Sequence, residues 1–306
     1  MSRYVYRGAL KSFWIGLLLI AIISGSACSN NNAKIPHRLQ WWLQAINWEV
    51  QSRTNGLTGK GIVIAVIDTA IDSSHPDLQG KIIKQHIIGN IPEEDLGVEH
   101  GTAVAGVICA YPHDKEGVLG VAPGAEILSI VISGNTEAQL DPLIAGIEYA
   151  VTQKVDIINI SAGIISDDTR LQSAVNDAYN AGIVVVAAAG NDLYGTKLYP
   201  AKYQNVISVD SVDPSGNKLY GDEEGSVLLP GGNIVTTYSS KYDEQKKYVS
   251  YSGTSMSAPI LSGIIALVLE QDPSANNKDI TNYFKNYQRS SFDVLKVLDD
   301  FKKMSG

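Results

Sequence analysis

Runs of branched apolar residues at 62–67, 127–132, 155–160, 183–189 and 206–212 alternate with stretches of helical period at 100–111, 139–154 and 169–181. Each run is strand-length and apolar on both sides, which is the pattern of a strand covered on both faces. Strands joined through helices pair in parallel, because each connection has to return across the sheet before the next strand begins. The expectation is an α/β fold of three layers, with a central, mostly parallel sheet and helices on both faces. Functional groups in such folds collect beyond the carboxyl ends of the strands. With 306 residues, 44% hydrophobic and 18% charged, the chain suits one large domain. The formal net charge of −8 argues against nucleic acid as a partner. A dinucleotide site fails on position, since Gly59 and Gly61 precede the first apolar run where a phosphate-binding turn would follow it.

Three motifs carry chemistry. Asp68 closes the first run in IAVIDTAID, His100 lies in HGTAVAG, and Ser255 lies in GTSMSAP. A carboxylate, an imidazole and a hydroxyl together make serine a nucleophile: the imidazole takes the hydroxyl proton, and the carboxylate holds the imidazole's tautomer and stabilises the imidazolium. Each has a plainer use alone, Asp68 as a turn or cap residue, Ser255 as a helix N-cap, His100 as a satisfied structural histidine. Their conjunction favours the chemistry. Asn191, in AAAGN after a further apolar run, adds an amide able to meet an oxyanion. The remaining histidines, His37, His75, His86 and His113, have no comparable setting.

The order Asp, His, Ser, the GTSMSAP context, AAAGN at 187–191 and YPAKYQNVISV at 199–209 resemble the subtilisin-like serine proteases over residues 59 to about 269. The resemblance implies a subtilisin-like fold and a serine endopeptidase. In that reading Asp68, His100 and Ser255 are the triad, Asn191 completes the oxyanion hole, and Ser161, Ala162 and Gly163 pair with substrate backbone. Asp192 would face the first specificity pocket and favour a basic residue, and His75 in SSHPDL would be structural. Asp77 matches a calcium ligand, so calcium is possible although no cofactor is required; its partner loop at 111–118 has an unusual spacing. Two family histidines are replaced, by Ala103 and Ile260. The layout and HGTAVAG are also similar to lantibiotic leader peptidases, which makes a dedicated processing enzyme the alternative to a general protease. A catalytically silent binding protein is the rival of another class.

The first 27 residues look like a lipoprotein-type signal peptide. Arg3, Arg7 and Lys11 precede an apolar run at 13–23, and SGSA stands directly before Cys28. Cys28 would carry the lipid, anchoring the chain outside the cytoplasm at the bacterial membrane, with 28–38 as a tether. That stretch leaves no room for a long propeptide. Cys109 would then remain a buried free thiol. The expected peptidase domain is 39–286, acting as a monomer on peptide or protein substrates. Within it, 39–50 carries Trp41, Trp42 and Trp48 on an amphipathic pattern that suits docking on the domain or lying on a membrane interface. A last domain helix, capped by Ser274, is expected at 273–286, and 287–306 as a surface tail or helix.

Overall fold

A computed structural model describes residues 40–48, 56–112, 117–134, 138–192, 196–220, 227–239, 241, 246–287 and 292–304. Cys28, the signal segment and the tether lie outside them. Strands β1 (Val63–Asp68), β2 (Ile82–Ile87), β3 (Glu126–Val131), β4 (Ile157–Ile160), β5 (Val184–Ala188), β6 (Ile207–Val212) and β7 (Val227–Pro230) form one sheet in the order β2-β3-β1-β4-β5-β6-β7. Every pairing in it is parallel. The chain first winds from β1 to the β2 edge and then, from β4 on, to the other side. Asp68 therefore ends the strand at which the winding direction reverses, where such sheets open a crevice.

The alternation along each strand sends side chains to two cores. Ile64, Val66, Ile157, Val184 and Val186 pack against α2 (Glu99–Cys109) and α5 (Thr254–Gln271). Ala65, Ile67, Ile158, Ile160 and Val185 pack against α3 (Leu140–Gln153) and α4 (Thr169–Asn180). Five apolar runs thus become β1, β3, β4, β5 and β6. β2 escapes the apolar pattern because it is an edge strand, with Ile83, Lys84 and Gln85 exposed and His86 half-buried. β7 escapes it because it is four residues long and ends on Pro230. A separate antiparallel hairpin, β8 (Ile234–Thr237) and β9 (Tyr248–Tyr251), packs on α2 and leads into α5.

Both ends of the described chain are docked. Around α1 (Trp41–Ala45), Trp42, Ile46 and Trp48 are buried, and the Gln40 amide pairs both ways with the Leu119 backbone at 2.8 and 3.0 Å. Trp41 and Trp48 donate their indole N–H groups to the carbonyls of Gly232 and Val121. Trp42 and Trp48 bury against protein and Trp41 is half-buried against the same core, which favours docking over a membrane interface. α6 (Asn277–Lys285) is capped by Asn276, which accepts from Asp279 N–H at 2.9 Å; Ser274, the expected cap, instead donates to Asp272. α7 (Val294–Met304) is a packed helix, burying Val294, Val297, Leu298 and Phe301, and Val294 N–H bonds the Ile46 carbonyl. Cys109 is a buried thiol directed to the Ala105 carbonyl, and burial pushes its pKa up to about 12.

Candidate active site

Asp68 ends β1 only 3% exposed. Its two carboxylate oxygens accept from His100 Nδ1 at 2.8 and 2.9 Å, and one also accepts from Thr69 N–H at 2.6 Å. His100 stands in the first turn of α2, its side chain 35% exposed. That turn is pressed onto the loop after β1: a Cβ on Gly101 would lie 2.4 Å from the Thr69 carbonyl oxygen, and Gly101 N–H bonds Thr69 Oγ1. The glycine after the histidine is what lets the imidazole reach the carboxylate. With Nδ1 as donor to Asp68, Nε2 is the basic nitrogen. Burial works to lower the pKa of His100, but the charge of Asp68 and the hydrogen bond to it outweigh burial and raise it above the ordinary histidine value.

Ser255 is the second residue of α5, inside the helix instead of capping it. Gly253 precedes the helix at φ +154°, and a Cβ there would meet Asn191 Nδ2 at 3.1 Å and Ser255 Oγ at 3.3 Å. The hydroxyl and the amide therefore flank one point. Asn191 lies just beyond β5, exposed, with its Oδ1 accepting from Thr254 N–H at 2.9 Å and from Thr254 Oγ1 at 3.0 Å. Its oxygen being engaged, Nδ2 is the end that can donate to an incoming oxygen. Tyr251 closes β9 and stands edge-on to the His100 ring, centroids 6.4 Å apart. Sequence reasoning missed this tyrosine, whose only signal was its place four residues before Ser255.

Ser161, Ala162 and Gly163 follow β4 on the same side of the sheet. The Ser161 hydroxyl is turned to α5, donating to the Ser255 carbonyl at 3.0 Å. Asp192 follows Asn191 half-buried. Between these two segments lies Leu198, another residue the sequence reading passed over. A Cβ on Gly163 would be 2.7 Å from Leu198 Cβ, and one on Gly190 would be 2.9 Å from Leu198 Cγ.

Asp77 is buried, and its Oδ2 accepts from Val118 N–H at 2.9 Å. His75 accepts from Asp77 N–H through Nδ1 and meets the Lys247 carbonyl through Nε2, a wholly structural setting in which burial lowers its pKa. Calcium takes 6–8 oxygen ligands. Around Asp77 the described residues assemble no group of three acidic, histidine or cysteine side chains, and His113, Asp114 and Glu116 of the partner loop lie outside them.

Fold and sequence agree with known proteins. The family model described as the subtilase family, Peptidase_S8, matches residues 59–295. The chain is 36% identical over 253 residues to M-protease of Shouchella clausii (strain KSM-K16), the match covering 79% of this chain and 64% of that protein. It is also 36% identical to Subtilisin Savinase of Lederbergia lenta, covering 79% of this chain and 91% of that one. Among solved structures, fervidolysin from Fervidobacterium pennivorans, described as a keratinolytic enzyme related to subtilisin, superposes with a TM-score of 0.73 at 27% identity, over 88% of this chain and 47% of that one. The architecture is that of the subtilisin-like serine endopeptidases. This chain belongs to the subtilase family.

Proposed function

We propose that this chain is an exported serine endopeptidase whose Ser255 attacks the peptide carbonyl while His100 carries the proton. The observation that carries the reading is a pair of contacts on the neighbouring helices α2 and α5: His100 Nδ1 on Asp68, and Ser255 Oγ beside Asn191 Nδ2 across Gly253. His100 Nε2 takes the Ser255 proton as Oγ attacks, and Asp68 stabilises the imidazolium that forms. The carbonyl oxygen becomes an oxyanion held by Asn191 Nδ2 and the Ser255 backbone N–H. The imidazolium then protonates the leaving amine, and the acyl-enzyme is hydrolysed by water through the same proton transfers in reverse. Substrate backbone pairs as an added strand along Ser161, Ala162 and Gly163, which binds many sequences alike.

Selectivity before the cut has two candidate determinants. Asp192 would favour a basic side chain. Leu198, standing between Gly163 and Gly190, narrows the same gap and favours short side chains. Digestion of a diverse peptide library by the purified protein, with Ser255→Ala as control and cleavage sites read by mass spectrometry, tests both the activity and this choice. Broad Ser255-dependent cutting supports a general protease. Cutting confined to one supplied precursor supports a dedicated leader peptidase, and no Ser255-dependent cutting at all leaves the silent binding protein.

The same reading makes Cys28 the lipidated residue, 28–38 the tether and the protein a monomer at the outer side of the membrane, with no cofactor in the chemistry. Calcium at Asp77 would act on stability alone. A chelator should lower the unfolding midpoint by several degrees if the ion is held, and an unchanged midpoint removes it.

A further inference from the structure

The Ser255 carbonyl sits where a helix cannot serve it. Four residues on, where the α-helical ladder would supply a donor, the chain has Pro259, which lacks an N–H and whose ring crowds the carbonyl of the residue four before it. The vacancy is filled from the sheet. Ser161 Oγ donates to Ser255 O at 3.0 Å, Asn159 Nδ2 donates to Ser161 Oγ at 3.1 Å, and Ser262 Oγ donates to Asn159 Oδ1 at 2.9 Å. Asn159 and Ser262 are fully buried, and Asn159 is a polar residue in the middle strand region of an apolar sheet face, beside Ile157. An amide in that place costs free energy unless both its ends are bonded.

The direction of this relay follows from proton counting. A serine hydroxyl has one proton to donate. If the Asn159 amide were reversed, its oxygen would take the Ser161 proton and the Ser255 carbonyl would lose its donor. The Ser262 hydroxyl lies 2.9 Å from Asn159 Oδ1 and 3.2 Å from its other acceptor, the Ala258 carbonyl, and donation along the shorter contact favours the orientation in which Nδ2 faces Ser161, leaving the Ser161 proton for Ser255. Resting on the endopeptidase reading above, we infer that Asn159, Ser161 and Ser262 are positioning residues: a three-member relay that locks the Ser255 backbone at the proline-broken start of α5 and thereby aims Oγ. None of the three touches the reacting atoms through its side chain. Their contribution belongs to turnover, since substrate pairing along 161–163 uses backbone groups that the side chains do not supply.

The test is steady-state kinetics of the full chain and its variants on a peptide the wild type cuts, with Ser255→Ala measured beside them. Displacements of about 1 Å at a catalytic group cost up to about 10²-fold. Ser161→Ala should therefore lower kcat by about tenfold or more at unchanged KM, with the pH profile set by His100 unmoved. Labelling of Ser255 by a fluorophosphonate should slow in parallel. Ser161→Thr, which keeps the hydroxyl, should recover most of the loss, and Ser262→Ala should reduce kcat in the same direction by a smaller factor. A Ser161→Ala enzyme with kcat within about twofold of wild type overturns the inference, as does a Ser161→Thr enzyme no faster than Ser161→Ala. A wild-type chain without Ser255-dependent turnover overturns the endopeptidase reading and this inference with it.

Discussion

The two faces of the sheet are built to different standards. On one, α5 is buried on every side from Met256 to Val268 and α2 from Gly101 to Cys109, and the hairpin β8–β9 closes over α2. On the other, α3 and α4 each bury one stripe and leave the rest to water. Ser255 and His100 both ride on the fully enclosed helices. Enclosure fixes a side chain from several directions at once: a Cβ on Gly106 of α2 would fall 2.1 Å from Thr237 Oγ1 of β8, so even a methyl group has no room. The difference teaches that this fold separates positioning from mere cover. The α2–α5 face holds the groups proposed to react in place, and the α3–α4 face keeps the sheet dry.

Substitutions can break or sharpen that division. Ser255→Ala should reduce kcat by about 10⁶-fold with little change in thermal midpoint, a magnitude inherited from the handling of the same groups in subtilisin itself. Asn191→Leu should cost about 10²–10³ in kcat, again a subtilisin-derived scale, with KM nearly unchanged. A pH profile should show activity rising about tenfold per unit until His100 is neutral, with its midpoint above the ordinary histidine value because Asp68 raises the pKa. Stability responds with the opposite sign. The raised pKa makes protonated His100 stabilising, so its contribution is complete below the unfolded-state pKa and is lost as pH rises through the folded one. A profile centred below pH 6.5 would contradict the Asp68 contact. On the other face, Leu143→Ala in α3 removes a fully buried side chain and should cost about 2–5 kcal/mol of stability in denaturant titration. Its kcat, measured well below the midpoint, should stay within about twofold. A large loss of kcat there would show that the two faces are coupled.

What could be read from the chain depended on how local the cause was. The proposed triad of Asp68, His100 and Ser255 could be read because each sits in a short motif whose neighbours serve it, as Gly101 serves His100 and Gly253 the Ser255–Asn191 approach. Tyr251, Leu198 and the Asn159–Ser161–Ser262 relay could not, because each depends on a contact tens of residues away or on which side of a strand faces a helix. α5 shows the limit in the other direction: it is long and apolar enough to cross a membrane, and only its packing makes it a core helix. The terminal segments behave similarly. The tryptophans at 41–48 fit a membrane surface or a protein groove equally by period, until Gln40, Trp41 and Trp48 find backbone partners at Leu119, Gly232 and Val121.

By itself the sequence determined the strand–helix alternation, hence a parallel three-layer sheet, and the order of the three groups proposed to react. Those properties follow from side-chain type and short-range spacing, which exist before folding. The tertiary structure alone decided the edge strand, the docking of both ends and the hydrogen-bond relay beneath Ser255. These depend on which distant groups meet in a dry interior, where an unpaired donor or acceptor is costly enough to select one arrangement.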